Sequence, residues 1–470
     1  MVAGDMTSQD YEAFVSQKLT RQPPTGLSTI PALHDGLFPF QRDLVAWALR
    51  RGRAAIFADT GLGKSRMQLE WARHAGKRVL VLAPLAVAQQ TAREGASIGV
   101  SVNVAKEDAD IRDGVNVTNY DRIHKFDPTR FDAVGLDESS IIKHHTAKTL
   151  KQLLDAFSAT PFRLCATATP SPNDYTELGT HAEFLGVCTR TEMLAEYFCH
   201  DGGETQVWRL KGHARAQFWR WVATWAALVR TPRDLGYDGA GYDLPKLHVE
   251  QHILEADAET VREAGLLFAA PASSLTERRD ARRASLDRRV AECVAMVNAS
   301  DDPWVVWCDL NAESDALAAG IRGAVEVRGS QTTEEKEALL ADFSEGRARV
   351  IVSKPSICGF GLNWQHASNM AFVGVTDSYE AYYQAVRRIW RFGQKRECNV
   401  HVYASEIEGN VVANLARKAA DADKMAAELA AETRDAMRAE VLGGQKRITN
   451  VYNPRRIEIP SWLISNPEAP

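Results

Sequence analysis

The residues best suited to chemistry begin with a glycine-rich segment, 58–65, with the sequence ADTGLGKS. It follows an apolar run and precedes a helical pattern, the context in which glycines let backbone N–H groups turn around a phosphate. Lys64 would reach the β- and γ-phosphates of a nucleotide, and the Ser65 hydroxyl would ligate Mg²⁺. The pattern GxxxxGKS/T is incomplete, because Ala58 occupies its first position. The residues expected to contact the nucleotide here are Thr60, Gly61, Gly63, Lys64 and Ser65.

Two adjacent carboxylates, Asp137 and Glu138, follow the apolar run FDAVGLD at 131–137. If that run is a strand of a parallel sheet, both acids lie at the carboxyl edge, where such sheets bind ligands. Asp137 would then hold Mg²⁺, directly or through water, and Glu138 would polarise the attacking water. Solvated acids at a strand end are the alternative, but the position after a phosphate loop favours catalysis.

Two arginines, Arg388 and Arg391, are three residues apart and therefore share one helical face. Planar guanidinium groups bind phosphate oxygens bidentately. Across a cleft from Lys64, they would act as arginine fingers on the γ-phosphate. The alternative is a solvated surface or a general nucleic-acid patch.

Two series of short apolar runs must position these groups, and helix-length segments separate the runs. The first series is 54–59, 78–83, 114–119, 131–137 and 162–168. The second series is 247–256, 303–310, 324–329, 349–354, 369–375 and 399–404. Strand–helix alternation of this kind predicts an α/β fold with two parallel sheets, each covered by helices on both faces.

Residues 172–243 interrupt the alternation, and we expect a helical insertion there. It holds a group of four tryptophans: Trp208, Trp219, Trp221 and Trp225. They could form a platform on which bases stack or a packing face for inserted helices, and we favour packing. The Ala/Glu/Arg-rich segment 407–441 predicts a helix that either docks a partner or braces the second α/β unit.

The charge balance limits how this chain could bind nucleic acid. Its 470 residues include 56 Lys and Arg against 61 Asp and Glu, a net charge of −5. This excludes a basic coat, so contacts to nucleic acid must come from local patches. One candidate is the Arg-rich stretch 277–289, where Arg278 and Arg282 would share a helix face. A solvated amphipathic face explains that stretch equally well.

The seven cysteines form no CxxC pair. This argues against structural zinc and a disulfide framework, and is typical of free thiols in a reducing cytoplasm. No apolar run approaches the ~20 residues of a membrane span, and the polar N-terminus lacks the apolar core of a signal peptide. We therefore expect a cytoplasmic protein that does not contact a membrane.

Taken in order, the motifs resemble those of the superfamily-two helicase-type ATPases, nearest the Swi/Snf-like, DEAD/DEAH-box-related DNA translocases. The resemblance runs from about residue 37 to residue 394. Its segments are 37–41, 58–65, 83–85, 117–120, 137–143, 166–170, 305–310, 359–363 and 384–394. The last is the closest match, since it follows the family's QAxxRxxRxGQ. Ser139 and Ser140 depart from the family, which has Ala-His at those positions.

The resemblance implies roles for further residues. Gln41 would read the adenine base, and Gly361 and Gln384 would contact the nucleotide from the second unit. The residues placed near nucleic acid are Pro84, Asn119 and Asn363.

The resemblance also implies two RecA-like parallel-sheet lobes in tandem, with helical insertions and a C-terminal helical brace. The implied division is an N-terminal segment 1–36, an ATP-binding lobe 37–171, the helical insertion 172–243, a second lobe of helicase C-terminal type 244–405 with an Arg-rich helical insertion at about 257–290, and the brace and tail 406–470.

The implied activity is ATP hydrolysis with Mg²⁺ that drives translocation on DNA, with duplex DNA favoured. The compact build suggests a bacterial or phage origin and admits a nuclease or recombination protein as a partner. Strand separation on DNA or RNA is an alternative enzymatic activity. A non-catalytic DNA-binding or assembly module with a degenerate ATPase fold is an alternative of another class.

Overall fold

The computed structural model describes residues 24–84, 88–143, 147–171, 174–201, 204–254, 285–358, 362–374, 378–405 and 409–443. Three of the residues singled out above, Gly361, Arg278 and Arg282, lie outside these ranges.

The first sheet has seven parallel strands in the order β3-β4-β2-β5-β6-β1-β9. They are β1 (Arg53–Ala58), β2 (Arg78–Ala83), β3 (Val102–Val104), β4 (Gly114–Asn119), β5 (Ala133–Asp137), β6 (Phe162–Thr167) and β9 (Ala226–Val229). Five of them lie at predicted runs. The other two, β3 and β9, are the edge strands of this sheet and have only three and four residues.

Helices cover both faces of this sheet. They include α1 (Pro39–Arg51), α2 (Lys64–His74), α3 (Ala88–Ser97), α4 (Lys148–Phe157) and α5 (Leu178–Leu185). Alternate residues of β1 belong to opposite apolar clusters, with Ala55 and Phe57 in one and Ala54 and Ile56 in the other. Because successive side chains of a strand point to opposite faces, each cluster is the core between the sheet and one helical layer.

The expected helical insertion at 172–243 contains strands as well as helices. Its remaining elements are α6 (Arg190–Tyr197), the antiparallel hairpin of β7 (Phe198–Asp201) and β8 (Glu204–Leu210), and α7 (Arg215–Ala223). Its last strand, β9, pairs in parallel with β1 and places Ala226 opposite Ala55. The end of this region is therefore the edge of the first sheet.

The tryptophans of this region pack inside the first lobe. Trp219 and Trp225 are completely buried in one of its apolar clusters. Trp221 is partly buried, and its ring stacks on Tyr197 with 5.4 Å between centroids. The packing interpretation is confirmed for the two buried rings, since neither presents a face on which a base could stack.

The second sheet has six parallel strands in the order β10-β15-β14-β11-β13-β12. They are β10 (Leu247–Leu254), β11 (Trp304–Trp307), β12 (Ala324–Val327), β13 (Val350–Ser353), β14 (Asn369–Phe372) and β15 (Cys398–Ser405). Its helices are α8 (Leu286–Asn298), α9 (Asn311–Gly320), α10 (Thr333–Ser344), α11 (Pro355–Cys358) and α12 (Tyr379–Val386). All six strands lie at predicted runs, and the predicted pair of parallel-sheet α/β lobes is confirmed.

The last described helix, α13 (Gly409–Val441), leaves the second lobe and packs against the first. Met437 and Val441 are buried in the apolar cluster that also contains Leu235, and Arg438 donates to the Asp234 carbonyl at 2.7 Å. We expected a brace on the second lobe, whereas the helix ties the second lobe back to the first. Neither α13 nor any other helix of the described ranges has the apolar stretch that crossing a membrane requires.

The end of the Arg-rich stretch is part of the core. Arg289 is completely buried in α8 and pairs with Glu313, also completely buried, at 2.8 Å. Its guanidinium also donates to the Ser285 hydroxyl at 3.0 Å. Arg289 is therefore inaccessible to nucleic acid, whereas Arg278 and Arg282, the candidates in this stretch, lie outside the described residues. The physical reason is that Arg289 lies on the same helical stripe as the buried Val290 and Cys293.

Candidate active site between the two lobes

The phosphate loop connects β1 to α2 through two glycines with left-handed backbones. Gly61 has φ +91° and Gly63 has φ +79°, values that non-glycine residues rarely adopt. A Cβ atom on Gly61 would lie 2.9 Å from the backbone nitrogen of Phe392 in the second lobe. The absence of a side chain at this position therefore allows the two lobes to approach each other.

Lys64 begins α2 and folds back over the loop. Its Nζ donates to the Ala58 carbonyl at 2.9 Å and to the Asp59 carbonyl at 3.4 Å. Burial lowers the pKa of Lys64 below its ordinary value, while Glu138 and other nearby carboxylates oppose that shift. The ammonium group is thus held at the centre of the loop, beside the acids that end β5.

Gln41 connects α1 to the phosphate loop. Its side-chain oxygen accepts from the Phe38 N–H at 2.9 Å, and its Nε2 donates to the Leu62 carbonyl at 2.8 Å. The side chain is buried. Gln41 therefore supports the loop structurally and also lines the cavity described below.

Asp137 and Glu138 lie at the carboxyl end of β5, as predicted. Burial raises the pKa of Asp137 to about 7; Glu138 adds to the shift and Lys64 opposes it. Glu138 has φ +49° and is the only non-glycine residue of the described ranges with a positive φ. The Thr167 hydroxyl donates to its carboxylate at 3.4 Å. Backbones of this kind concentrate at functional sites.

Ser139, which departs from the family pattern, has a buried histidine as its partner. The Ser139 hydroxyl lies 3.2 Å from Nε2 of His181 on α5. Burial lowers the pKa of His181 to about 4, so the imidazole is neutral at physiological pH. The region after the acidic pair is thus anchored in the first lobe by a neutral Ser–His contact.

The second lobe brings two arginines to the same place from the segment after α12. Arg388 and Arg391 both donate to the Leu362 carbonyl, at 3.0 and 3.3 Å. Burial lowers the pKa of Arg388 to about 9 and that of Arg391 to about 10, values at which both stay protonated at neutral pH. Arg388 is buried and Arg391 is partly buried, and the charge of Glu138 in the first lobe acts on both guanidinium groups.

A cavity of about 510 Å³ lies between the lobes and is lined by both. The predicted residues that line it are Gln41, Thr60, Gly61, Gly63, Lys64, Ser65, Asp137, Glu138, Gln384, Arg388 and Arg391. Asn363, expected near nucleic acid, lines this cavity too, whereas Pro84 and Asn119 do not.

Sequence reasoning missed an aromatic group at one end of the cavity. Tyr242 and Phe392 stack with 4.4 Å between ring centroids, and Phe38 meets both rings edge-on at 6.3 and 6.5 Å. Phe38 and Phe392 lie inside recognised motifs and could have been noticed there. Tyr242 lies in a Gly/Asp/Tyr-rich loop, and no local pattern connects it to the other two.

Contacts between the lobes were also missed. The Tyr383 hydroxyl donates to Asp59 of the phosphate loop at 2.6 Å, and Arg387 pairs with the same carboxylate at 3.1 Å. Lys143, just beyond the acidic pair, forms an ion pair with Glu380 of α12. The phosphate loop and the acidic motif therefore each contact the helix that leads to Arg388.

One comparison with known proteins covers the second-lobe half of this site. Residues 289–393 match the family model of the helicase conserved C-terminal domain. No curated protein sequence matches the chain. Among solved structures, the SWI2/SNF2 ATPase core of Sulfolobus solfataricus in complex with dsDNA is similar, with 16% identity, a TM-score of 0.40, and coverage of 87% of this chain and 97% of that chain. The second-lobe half of the cavity, with Gln384, Arg388 and Arg391, thus lies in a segment similar to helicase C-terminal domains.

Proposed function

We propose that this chain hydrolyses ATP in the cavity between its lobes and uses the cycle to translocate on nucleic acid, with duplex DNA as the preferred track. One observation carries the proposal. Lys64, Asp137 and Glu138 of the first lobe and Arg388 and Arg391 of the second line a single cavity. Phosphoryl transfer needs positioning and charge stabilisation rather than covalent chemistry, and this set of groups offers both.

The donor atoms fit a magnesium nucleotide. The Ser65 hydroxyl and the Asp137 carboxylate are hard oxygen ligands that line the same cavity, the kind that Mg²⁺ prefers. Nε of Arg391 and Nε2 of Gln384 are buried with no hydrogen-bond partner in the described part of the chain, so phosphate oxygens could satisfy them. When bound, Mg²⁺ would neutralise phosphate charge.

Each side chain has a distinct task in this proposal. Lys64 exchanges its loop carbonyls for phosphate oxygens, and Glu138 accepts a hydrogen bond from the attacking water and orients it. Arg388 and Arg391 stabilise charge on the transferred phosphoryl group from the opposite side. Tyr242 and Phe392 would stack on the base, with Gln41 at its edge.

The motor part of the proposal rests on contacts between the lobes. The arginines reach the phosphate loop only when the lobes are together, so nucleotide state and lobe closure are coupled. Pro84 follows β2, and Asn119 ends the neighbouring strand β4. Both lie at the same sheet edge as Asp137, and we propose that they face the nucleic acid. Arg278 and Arg282 stay candidates for contacts outside the described ranges. The match of 289–393 to a helicase domain supports nucleic acid as the track.

Phosphate release tests the catalytic assignment. Lys64→Ala and Arg391→Ala should each slow ATP hydrolysis, the latter on the order of a thousandfold. The matched control is Lys77→Ala, whose side chain is 72% exposed and pairs with Asp113 outside the cavity. If the two cavity variants hydrolyse ATP as fast as the parent and Lys77→Ala, the site is wrongly assigned.

Nucleic-acid stimulation tests the track. ATPase rates should rise most with duplex DNA and less with single-stranded DNA or RNA, and the stimulation should fall with salt because phosphate contacts are electrostatic. Displacement of a third strand from a triplex would demonstrate translocation, whereas a fluorescence unwinding signal would reassign the activity to strand separation. An active ATPase that no nucleic acid stimulates would contradict the motor.

A further inference from the structure

Three possible metal ligands lie together on the second sheet, and they share no residue with the nucleotide cavity. Among the residues the structure describes, this is the one group of three or more His, Cys, Asp and Glu that could hold a metal ion: Glu250, His252 and His401. Glu250 and His252 lie on the edge strand β10 and His401 on its neighbour β15. Glu250 pairs directly with His401 in the register. Residues two apart on a strand point to the same face, so the three side chains share one face of the sheet.

The spacing of the donor atoms fits a tetrahedral metal ion. Nε2 of His252 lies 3.1 Å from Nδ1 of His401, and that nitrogen lies 3.5 Å from Oε2 of Glu250. All three donor atoms lie within 4.8 Å of one another. Ligands bound to zinc at about 2.0–2.1 Å in a tetrahedron are about 3.3 Å apart. Small side-chain rotations, without backbone movement, would therefore be enough to bring the three donors onto one ion.

Aromatic packing restricts both imidazole rings. His252 stacks on Tyr403 with 4.5 Å between centroids and 14° between planes, and His401 lies 5.6 Å from the ring of the buried Trp304. The Tyr403 hydroxyl is in turn 3.2 Å from Sδ of Met296 on α8. Rings held in place from behind lose less conformational freedom when they bind an ion.

The types of ligand favour one class of metal ion over another. Two imidazoles with one carboxylate suit zinc, whereas magnesium prefers oxygen ligands alone, so Mg²⁺ supplied with ATP would not compete here.

We propose that Glu250, His252 and His401 form a binding site for Zn²⁺ with three protein ligands and a fourth position for water. The ion joins β10, the edge strand that follows the connection between the lobes, to β15, the last strand of the second lobe. It therefore cross-links two neighbouring strands at the sheet edge. Without an ion, the same atoms form a hydrogen bond between the two histidines beside a carboxylate. The test must distinguish this arrangement from a bound ion.

Calorimetric titration of the full chain with Zn²⁺, after treatment with a chelator and without nucleotide, tests the site. The parent should bind Zn²⁺ at this site, and His252→Gln and His401→Gln should each weaken that binding by at least about tenfold. The matched control is His248→Gln. His248 lies on the same strand and pairs with the exposed Glu397 at 2.9 Å, a pair outside the three-ligand group.

Thermal unfolding provides an independent readout that does not depend on ATP hydrolysis. Zn²⁺ should raise the midpoint of unfolding for the parent and for His248→Gln but not for His252→Gln, His401→Gln or Glu250→Gln, because an ion that binds only the folded state stabilises it. Circular dichroism identifies any variant that fails to fold, and the remaining two then carry the test. The proposal is overturned if the parent binds no Zn²⁺, or if folded ligand variants bind it as tightly as His248→Gln does.

Discussion

Asp59 of the phosphate loop forms an ion pair with Arg387 of the second lobe, with 3.1 Å between Oδ2 and Nη2. Their side chains are only 19% and 7% exposed. Burial acts to raise the pKa of Asp59, but Arg387 and the hydroxyl of Tyr383 outweigh it, and the net shift is downward. The Arg387 guanidinium also lies over the ring of Trp390, 4.6 Å from its centroid. The carboxylate next to the loop glycines is therefore held charged by the lobe that carries Arg388.

Loss of this ion pair should loosen the contact between the lobes. Arg387→Met should lower kcat/KM for ATP by about tenfold, since it leaves a mostly buried carboxylate without its counter-charge. In the double variant with Asp59→Asn, the loss of kcat/KM should be smaller than the sum of the two single losses, expressed as free energies. The reason is that both substitutions remove the same interaction. The control is Arg328→Met, which removes the pairs of a 44% exposed arginine with the exposed Asp315 and the partly buried Glu326. Strictly additive effects would contradict a direct coupling.

Gly61→Ala should impair the approach of the two lobes, and with it ATP hydrolysis, more than it destabilises the fold. The added Cβ would lie 2.9 Å from the backbone nitrogen of Phe392, and backbone cannot move aside as a flexible side chain can. Gly99→Ala is the matched control, since Gly99 has φ +66° with nothing within 4 Å of the new atom. Both variants strain a left-handed backbone by roughly 1 kcal/mol.

We therefore expect similar unfolding midpoints for the two glycine variants, but ATP hydrolysis lowered at least about tenfold in Gly61→Ala alone. Steady-state phosphate release and thermal unfolding measure the two properties. Equal hydrolysis by Gly61→Ala and Gly99→Ala would mean that the approach of Phe392 to the loop has no part in turnover.

Nucleotide binding with Mg²⁺ should weaken as the pH falls through 7. Burial raises the pKa of Asp137 to about 7, so without metal the group keeps its proton below that pH. Since a metal ligand must lose its proton, affinity for Mg²⁺-ADP should fall by up to about tenfold per pH unit below 7 and level off above it. Calorimetry between pH 6 and pH 8 measures this. Asp137→Asn should bind weakly with a flat profile, and the same slope in that variant would assign the titration to another group.

Removal of one partner from the buried pair in the second lobe should destabilise the fold strongly. Arg289→Met leaves Glu313 buried without its counter-charge, which should lower the free energy of unfolding by about 3–5 kcal/mol. Arg347→Met is the control, because Arg347 is 54% exposed beside Asp342, and exposed pairs contribute at most about 1 kcal/mol. Denaturant unfolding of the full chain measures both. A loss for Arg289→Met as small as the control would show that the pair is not needed for the core.

Most strands of both sheets could be predicted, because the central strands of a parallel sheet are buried on both faces and appear as continuous apolar runs. The short edge strands β3 and β9 could not. The apolar pattern of β9 merges with that of the tryptophan-rich helix α7 directly before it. The positions of the glycine-rich loop and the acidic pair could be predicted because each depends on residues close together in sequence.

The interlobe contacts had no such local signal. Arg387 and Asp59 are 328 positions apart, and nothing near either residue indicates the other. The inward position of Arg289 did have a signal that was missed. Leu286, Val290 and Cys293 follow helical spacing, and Arg289 falls on that apolar stripe, so an arginine there must carry its own counter-charge into the core.

The path of α13 has a consequence for how the chain is made. Met437 and Val441, near the end of the described chain, complete an apolar cluster of the first lobe. During synthesis the first lobe therefore lacks part of its apolar core until the ribosome has made the second lobe and most of α13. A chain truncated before residue 437 would expose apolar surface on the first lobe rather than on the second. The first lobe therefore completes its apolar core only after the second lobe has been made. The order of synthesis is not the order in which the two lobes finish folding.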